Sequence, residues 1–172
     1  INERRLAFVR QCLKNMQGRT REEDYFVAQI MTEAVRWLDQ NSDAGKFFLA
    51  IESFDPHEPW FVPEHYLRMY DDSEGQEQIM SIYDDVSDWP DQLLRRTRAN
   101  YMGSVSMCDR WFGYLYEAMS VRGLLDNTLL IVTTDHGHSL GDEGYLGKRG
   151  YPSEPNVCEI PLLLRHPGAE GA

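Results

Sequence analysis

Apolar positions along this chain change their period several times, and each change marks an element. After Thr20 and Glu23, which have capping-box spacing, Phe26, Ile30, Ala34, Trp37 and Leu38 recur at helical intervals until Asn41 to Gly45 breaks the pattern. The spacing predicts a helix over about 21–41. Phe47 to Ile51 (FFLAI) is a near-continuous apolar run, as expected of a strand covered on both faces in a parallel sheet. Tyr101, Val105, Cys108, Phe112, Leu115 and Met119 form the stripe of a second, longer helix that ends at Gly123. Thr128 to Thr134 (TLLIVTT) is β-branched and apolar and reads as another buried strand, with Ile160 to Leu164 as a third.

Strand, helix and strand in this order form a crossover unit, so the first two strands are expected to be parallel and to end on one edge of the sheet. Ligands of open α/β sheets collect at that edge. The loops that follow the strands are Asp55-Pro56-His57-Glu58-Pro59 and Asp135-His136-Gly137-His138, which the topology would bring to the same side.

Composition narrows the functional classes. The 172 residues carry 17 Lys+Arg against 28 Asp+Glu, a formal charge of −11, with 42% hydrophobic residues, as in a folded domain with a real core. The acidity argues against a sequence-independent nucleic-acid binder, which neutralises phosphates with Lys and Arg. No apolar run approaches the roughly 20 residues of a membrane span, and no charged region leads into an apolar one at the N-terminus. Cys12, Cys108 and Cys158 are odd in number and lack a CxxC pair, so they indicate neither a disulfide framework nor a thiolate zinc site. Between residues 71 and 91 there are eight acidic residues and no Lys or Arg, a segment that reads as a solvated excursion and lacks the ligand spacing of an EF-hand.

Asp135 and His136 stand where a strand runs into glycine-rich turns (Gly137, Gly141, Gly144, Gly147, Gly150). A carboxylate and an imidazole both ligate divalent cations, although Asp-His-Gly by itself points first to a capped turn. Lys148 lies between Gly147 and Arg149, where an ammonium group could bind a tetrahedral oxyanion, or could simply face solvent. His57, flanked by Pro56 and Pro59, is expected in a rigid extended loop from which it could hold an anion or protonate a leaving group.

Residues 46–167 resemble the sulfatases of the alkaline phosphatase superfamily. KFFLAIESFDPHEPWFVPEHYLRMY is similar to the family's strand and Pro-His-x-Pro loop; NYMGSVSMCDRWFGYLYEAMSVRGLLDNTLLIVTTDHGHSLGDEGYLGK to its long helix, turn, strand, Asp-His-Gly and downstream Lys; and IPLLLRHPG to the strand that follows. The resemblance implies an α/β fold, an alkaline-phosphatase-like mostly parallel sheet flanked by helices, present here as a fragment. It implies metal ligation by Asp135 and His136, contact of Lys148 with the sulfate group and leaving oxygen, and a substrate-side role for His57. Asp109 matches a family aspartate read as structural, whereas His138, His166 and Arg165 have no catalytic counterpart.

The family's nucleophile is a formylglycine made from Cys or Ser in C/S-x-P/A-x-R, preceded by a strand ending in Asp-Asp that supplies two more ligands. None of the three cysteines has that context, and Asp71-Asp72 and Asp84-Asp85 lie in the acidic excursion rather than after an apolar strand. The expectation is therefore that 1–172 is part of a sulfatase catalytic domain, without the nucleophile-bearing N-terminal part and the C-terminal subdomain. The resemblance implies a parent enzyme that hydrolyses sulfate esters of small molecules or saccharides. It implies one divalent cation, calcium first, with Mn²⁺ or Zn²⁺ suited by the histidine. A phosphodiester or phosphonate monoester hydrolase of the same superfamily is the alternative, and a non-catalytic fragment or binding protein a further one. The compartment stays open, since any signal would lie upstream.

Overall fold

The computed structural model describes residues 3–73, 83–149 and 154–169. The chain divides into two compact units. Of the described residues, the first takes 3–73 and Arg95–Leu115, and the second takes 83–94, 116–149 and 154–169.

Helix α1 (Glu3–Met16) opens the first unit. No element is predicted here from the sequence, although Val9, Cys12 and Met16 lie at helical spacing and leave solvent. The helix expected over 21–41 is split into a 3-10 turn at Glu22–Asp24 and helix α2 (Phe26–Gln40). Its capping is also different. Asp24, not Glu23, accepts from the backbone N–H groups of Thr20 and Arg21, both at 2.8 Å. The first turn of α2 is closed from elsewhere in the chain, by the Asp55 carboxylate accepting from Val27 N–H at 2.9 Å.

Helix α3 (Glu64–Leu67) is a single turn, and strand β1 (Asp84–Asp85) and helix α4 (Asp91–Val121) follow. Helix α4 begins about ten residues before the stripe that betrayed it, after Pro90. Its buried side is set by Thr97, Asn100, Ser104, Met107 and Leu115, while Val105, a member of the predicted stripe, is 40% exposed. The apolar centre of the first unit joins Val27, Tyr66 and Met107, with Tyr25, Met31, Val62, Cys108 and Trp111 packed around them.

The second unit holds β2 (Leu130–Thr133), β3 (Ser139–Leu140), β4 (Tyr145–Gly147), α5 (Pro155–Cys158) and β5 (Leu162–Arg165). One sheet has the order β1-β4-β3 and the other pairs β2 with β5. All of these ladders are antiparallel. The expected parallel partner of β2 is not found: residues 47–51 form no strand and have no ladder partner among the described residues, and Phe48 is 93% exposed. The third predicted strand does form as β5, but Leu162, Leu163 and Leu164 are exposed on both faces rather than buried. Apolar character signals a strand that can be covered; the cover must come from other chain, and the described residues do not provide it.

Residues 74–82 of the acidic excursion lie outside the described residues, and what is described of it is only partly a solvated surface. Asp71 is buried beside the Arg96 guanidinium, 3.6 Å away, and accepts from Ser73 N–H. Further along it, β1 pairs with β4, and Val86, 3% exposed, donates its N–H to Gly144 O.

Candidate active site

Asp135 and His136 follow β2 directly. The Asp135 carboxylate accepts from His136 N–H at 3.0 Å, and its Oδ2 lies 3.7 Å from His136 Nε2. Desolvation acts to raise the Asp135 pKa, but the His136 ring, the backbone N–H groups of Asp135 and His136, and the Thr134 hydroxyl outweigh it and hold the carboxyl below its ordinary value. His136 Nδ1 is 2.9 Å from Gly137 O. A carbonyl only accepts, so Nδ1 carries the proton and Nε2 is the accepting nitrogen of the neutral ring. Carboxylate Oδ2 and imidazole Nε2, turned toward one another at 3.7 Å, have a separation that one cation with bonds of about 2.0–2.6 Å can bridge. Two donors are only part of a coordination shell, and no group of three or more metal-ligating side chains occurs among the described residues.

Close backbone packing shapes this loop. Gly137 donates its N–H to Val157 O at 2.8 Å, and a Cβ built on Gly137 would stand 2.0 Å from Asn156 O. Only glycine admits the α5 segment so near.

Lys148 follows β4 in the same unit and is half-buried, so full solvation, the default for a lysine, does not describe it. Its Nζ lies 5.5 Å from the centre of the Tyr83 ring. Tyr83 also meets His138 edge-on, with ring centroids 5.9 Å apart. The neighbouring Arg149 stacks over Tyr145 and lies 3.4 Å from Glu154.

His57 belongs to the first unit. Its loop is a compact turn rather than the extended segment expected, closed by His57 N–H donating to Phe54 O at 2.9 Å. The ring stacks on Phe54, and Nδ1 lies 2.8 Å from Glu58 O and 3.2 Å from the Glu58 carboxylate. The tautomer is therefore the same as that of His136. Trp60 braces the turn by donating its indole N–H to Pro56 O. Asp109 is exposed on α4.

Tyr83 is a contact that the sequence pattern does not show, because it sits inside the acidic segment and reaches Lys148 only through the pairing of two- and three-residue strands. No hydrophobic period could announce a ladder so short.

The sequence profile of the sulfatases matches residues 6–172. The chain belongs to the sulfatase family. Within the alkaline phosphatase superfamily, this sulfatase chain is 27% identical over 153 residues to an arylsulfatase of Clostridium perfringens, covering 81% of this chain and 31% of that protein. It is 27% identical over 168 residues to the iduronate 2-sulfatase of Mus musculus, covering 81% of this chain and 30% of that protein. Its fold is α/β, shared with the phosphonate monoester hydrolase of Agrobacterium radiobacter at a TM-score of 0.74 and 27% identity, over 87% of this chain and 34% of that one. The chain thus spans about a third of the length of the proteins it matches.

Proposed function

We propose that residues 1–172 are part of a sulfatase catalytic domain whose whole protein hydrolyses sulfate esters of small molecules or saccharides. The observation that carries this reading is the donor pair after β2: Asp135 Oδ2 and His136 Nε2 face each other at 3.7 Å, with the tautomer of His136 set by Gly137 O. These residues would hold one side of a divalent cation. The exposed leucines of β5 and the bare apolar run at 47–51 support the partial-domain reading, since such strands call for further sheet to cover them.

A divalent cation and a formylglycine accompany the sulfatase family, supplying polarisation of the sulfate group and the attacking oxygen. Calcium suits the carboxylate, and Mn²⁺ or Zn²⁺ suits the imidazole at least as well. This chain's own contributions are separate from both. The Lys148 ammonium would neutralise charge on the sulfate and the departing oxygen. His57, its ring orientation fixed by Phe54 and Glu58, would present Nε2 to the leaving group and, in its imidazolium form with both ring nitrogens protonated, donate the Nε2 proton to the departing oxygen while Nδ1–H stays on Glu58 O.

The test is hydrolysis of an aryl sulfate by the full-length protein. Lys148→Ala should lower kcat by roughly 10²–10³, as loss of one oxyanion donor does; near-normal turnover removes Lys148 from the chemistry. The 172-residue chain by itself should show no turnover.

A second reading, a phosphonate monoester or phosphodiester hydrolase, is favoured by the histidine at 136 and by the likeness to the Agrobacterium enzyme. Comparing kcat/KM for an aryl sulfate, a phosphodiester and a phosphonate monoester separates the two.

A further inference from the structure

We propose that Tyr83 is a positioning residue for Lys148, holding its ammonium group by a cation–π contact; the proposal rests on the anion-binding role given to Lys148 above. Four observations converge on this tyrosine. The Lys148 Nζ lies 5.5 Å from the ring centre, within the range in which the negative face of an aromatic ring attracts a cation. The residues beside both partners are locked in register, Asp84 opposite Leu146 and Asp85 opposite Tyr145. Leu146 is fully buried, so the strand leading to Lys148 is anchored in the core of its unit. Finally, Gly147 leaves the tyrosine room: its φ is +129°, and a Cβ there would stand 2.9 Å from Tyr83 Cγ.

The arrangement solves a problem inherent in lysine. Its four-carbon stem is flexible and its ammonium is a compact charge with no preferred plane, so a lysine that must meet a developing oxyanion loses rotamer entropy at that moment. A ring 5.5 Å from the ammonium restricts it beforehand. His138 meets the other part of the assembly edge-on and helps to hold the ring. Tyr83 itself touches no reacting atom in this scheme and acts only through Lys148.

The experiment is a double-mutant cycle in the full-length protein, read as kcat and KM for a series of aryl sulfates of graded leaving-group acidity. Tyr83→Leu should lower kcat about 3- to 10-fold, a cation–π contact at a partly exposed site, with the larger loss for the poorer leaving groups. Tyr83→Phe, which keeps the ring, should retain at least about half of the activity, and thermal unfolding of each variant reports on its folding. In the Lys148→Ala background the Tyr83→Leu effect should disappear, because nothing is left to position. An equal loss from Tyr83→Leu with and without Lys148, or the same loss for every leaving group, overturns the proposal and leaves Tyr83 with a packing role. Near-normal turnover of Lys148→Ala by itself overturns instead the reading of Lys148 on which the proposal stands.

Discussion

Asp55 caps the first turn of α2 from 28 positions further along the chain, and it does so from a half-buried position. Burial raises its pKa above the ordinary carboxylate value, against the lowering effects of the Val27 N–H and of Arg19. Burial thus favours the neutral carboxyl in the folded state. The stability linked to this group is therefore fully present below its unfolded pKa and is lost as pH rises through the raised folded value. Asp55→Asn keeps an oxygen for Val27 N–H and removes the titration. Unfolding midpoints of the two proteins measured between about pH 3 and 7 should diverge, the wild type losing ground to the variant as pH rises. Asp55→Ala, which removes the acceptor, should cost about 1 kcal/mol at the acid end of that range, and less as pH rises and the wild type loses its linked stability. No local pattern in the sequence announces this cap, because donor and acceptor are remote. Asp135 and His136 were legible for the opposite reason: they are adjacent, and what fixes the histidine tautomer is the very next residue. Tyr83 lay hidden in an acidic run whose composition spoke only of solvent.

At the scale of elements, helices α2 and α4 announced themselves through their apolar period, and β2 and β5 through runs of apolar residues. What the pattern could not supply was pairing, which depends on chain distant in sequence. The two-residue strands β1 and β3 carry no pattern at all, yet through β4 they fix the Lys148 loop. The approach of α5 to the Asp135-His136 loop was equally invisible, although the glycine that permits it was not. Gly137→Ala should push α5 away, breaking the bond from residue 137 N–H to Val157 O, or bend the Asp135-His136 turn, because the new Cβ would overlap Asn156 O. The expected cost is about 1–3 kcal/mol, as for overpacking elsewhere, read by denaturant unfolding. A variant as stable as wild type would mean that the two segments separate freely.

For the whole molecule, the exposed apolar strands set the behaviour of the chain in solution. Leu162, Leu163 and Leu164 are each more than 60% exposed, and Ile131 on the paired strand is 53% exposed. Such surface on a monomer is a site for association. The 172-residue chain produced alone should therefore bind a hydrophobic dye severalfold more strongly than a closed domain of its size and sediment as species larger than a monomer. Replacing Leu162 and Leu164 by Lys should reduce both. A monodisperse chain without dye binding would take away the support for a partial domain. One other feature is independent of whatever covers those strands. His57, His136 and His138 each direct Nδ1 to the carbonyl of the residue that follows, at 2.8, 2.9 and 2.8 Å. The placement of each ring proton is thus written into a dipeptide, and it should travel intact when one of these loops is exchanged between relatives.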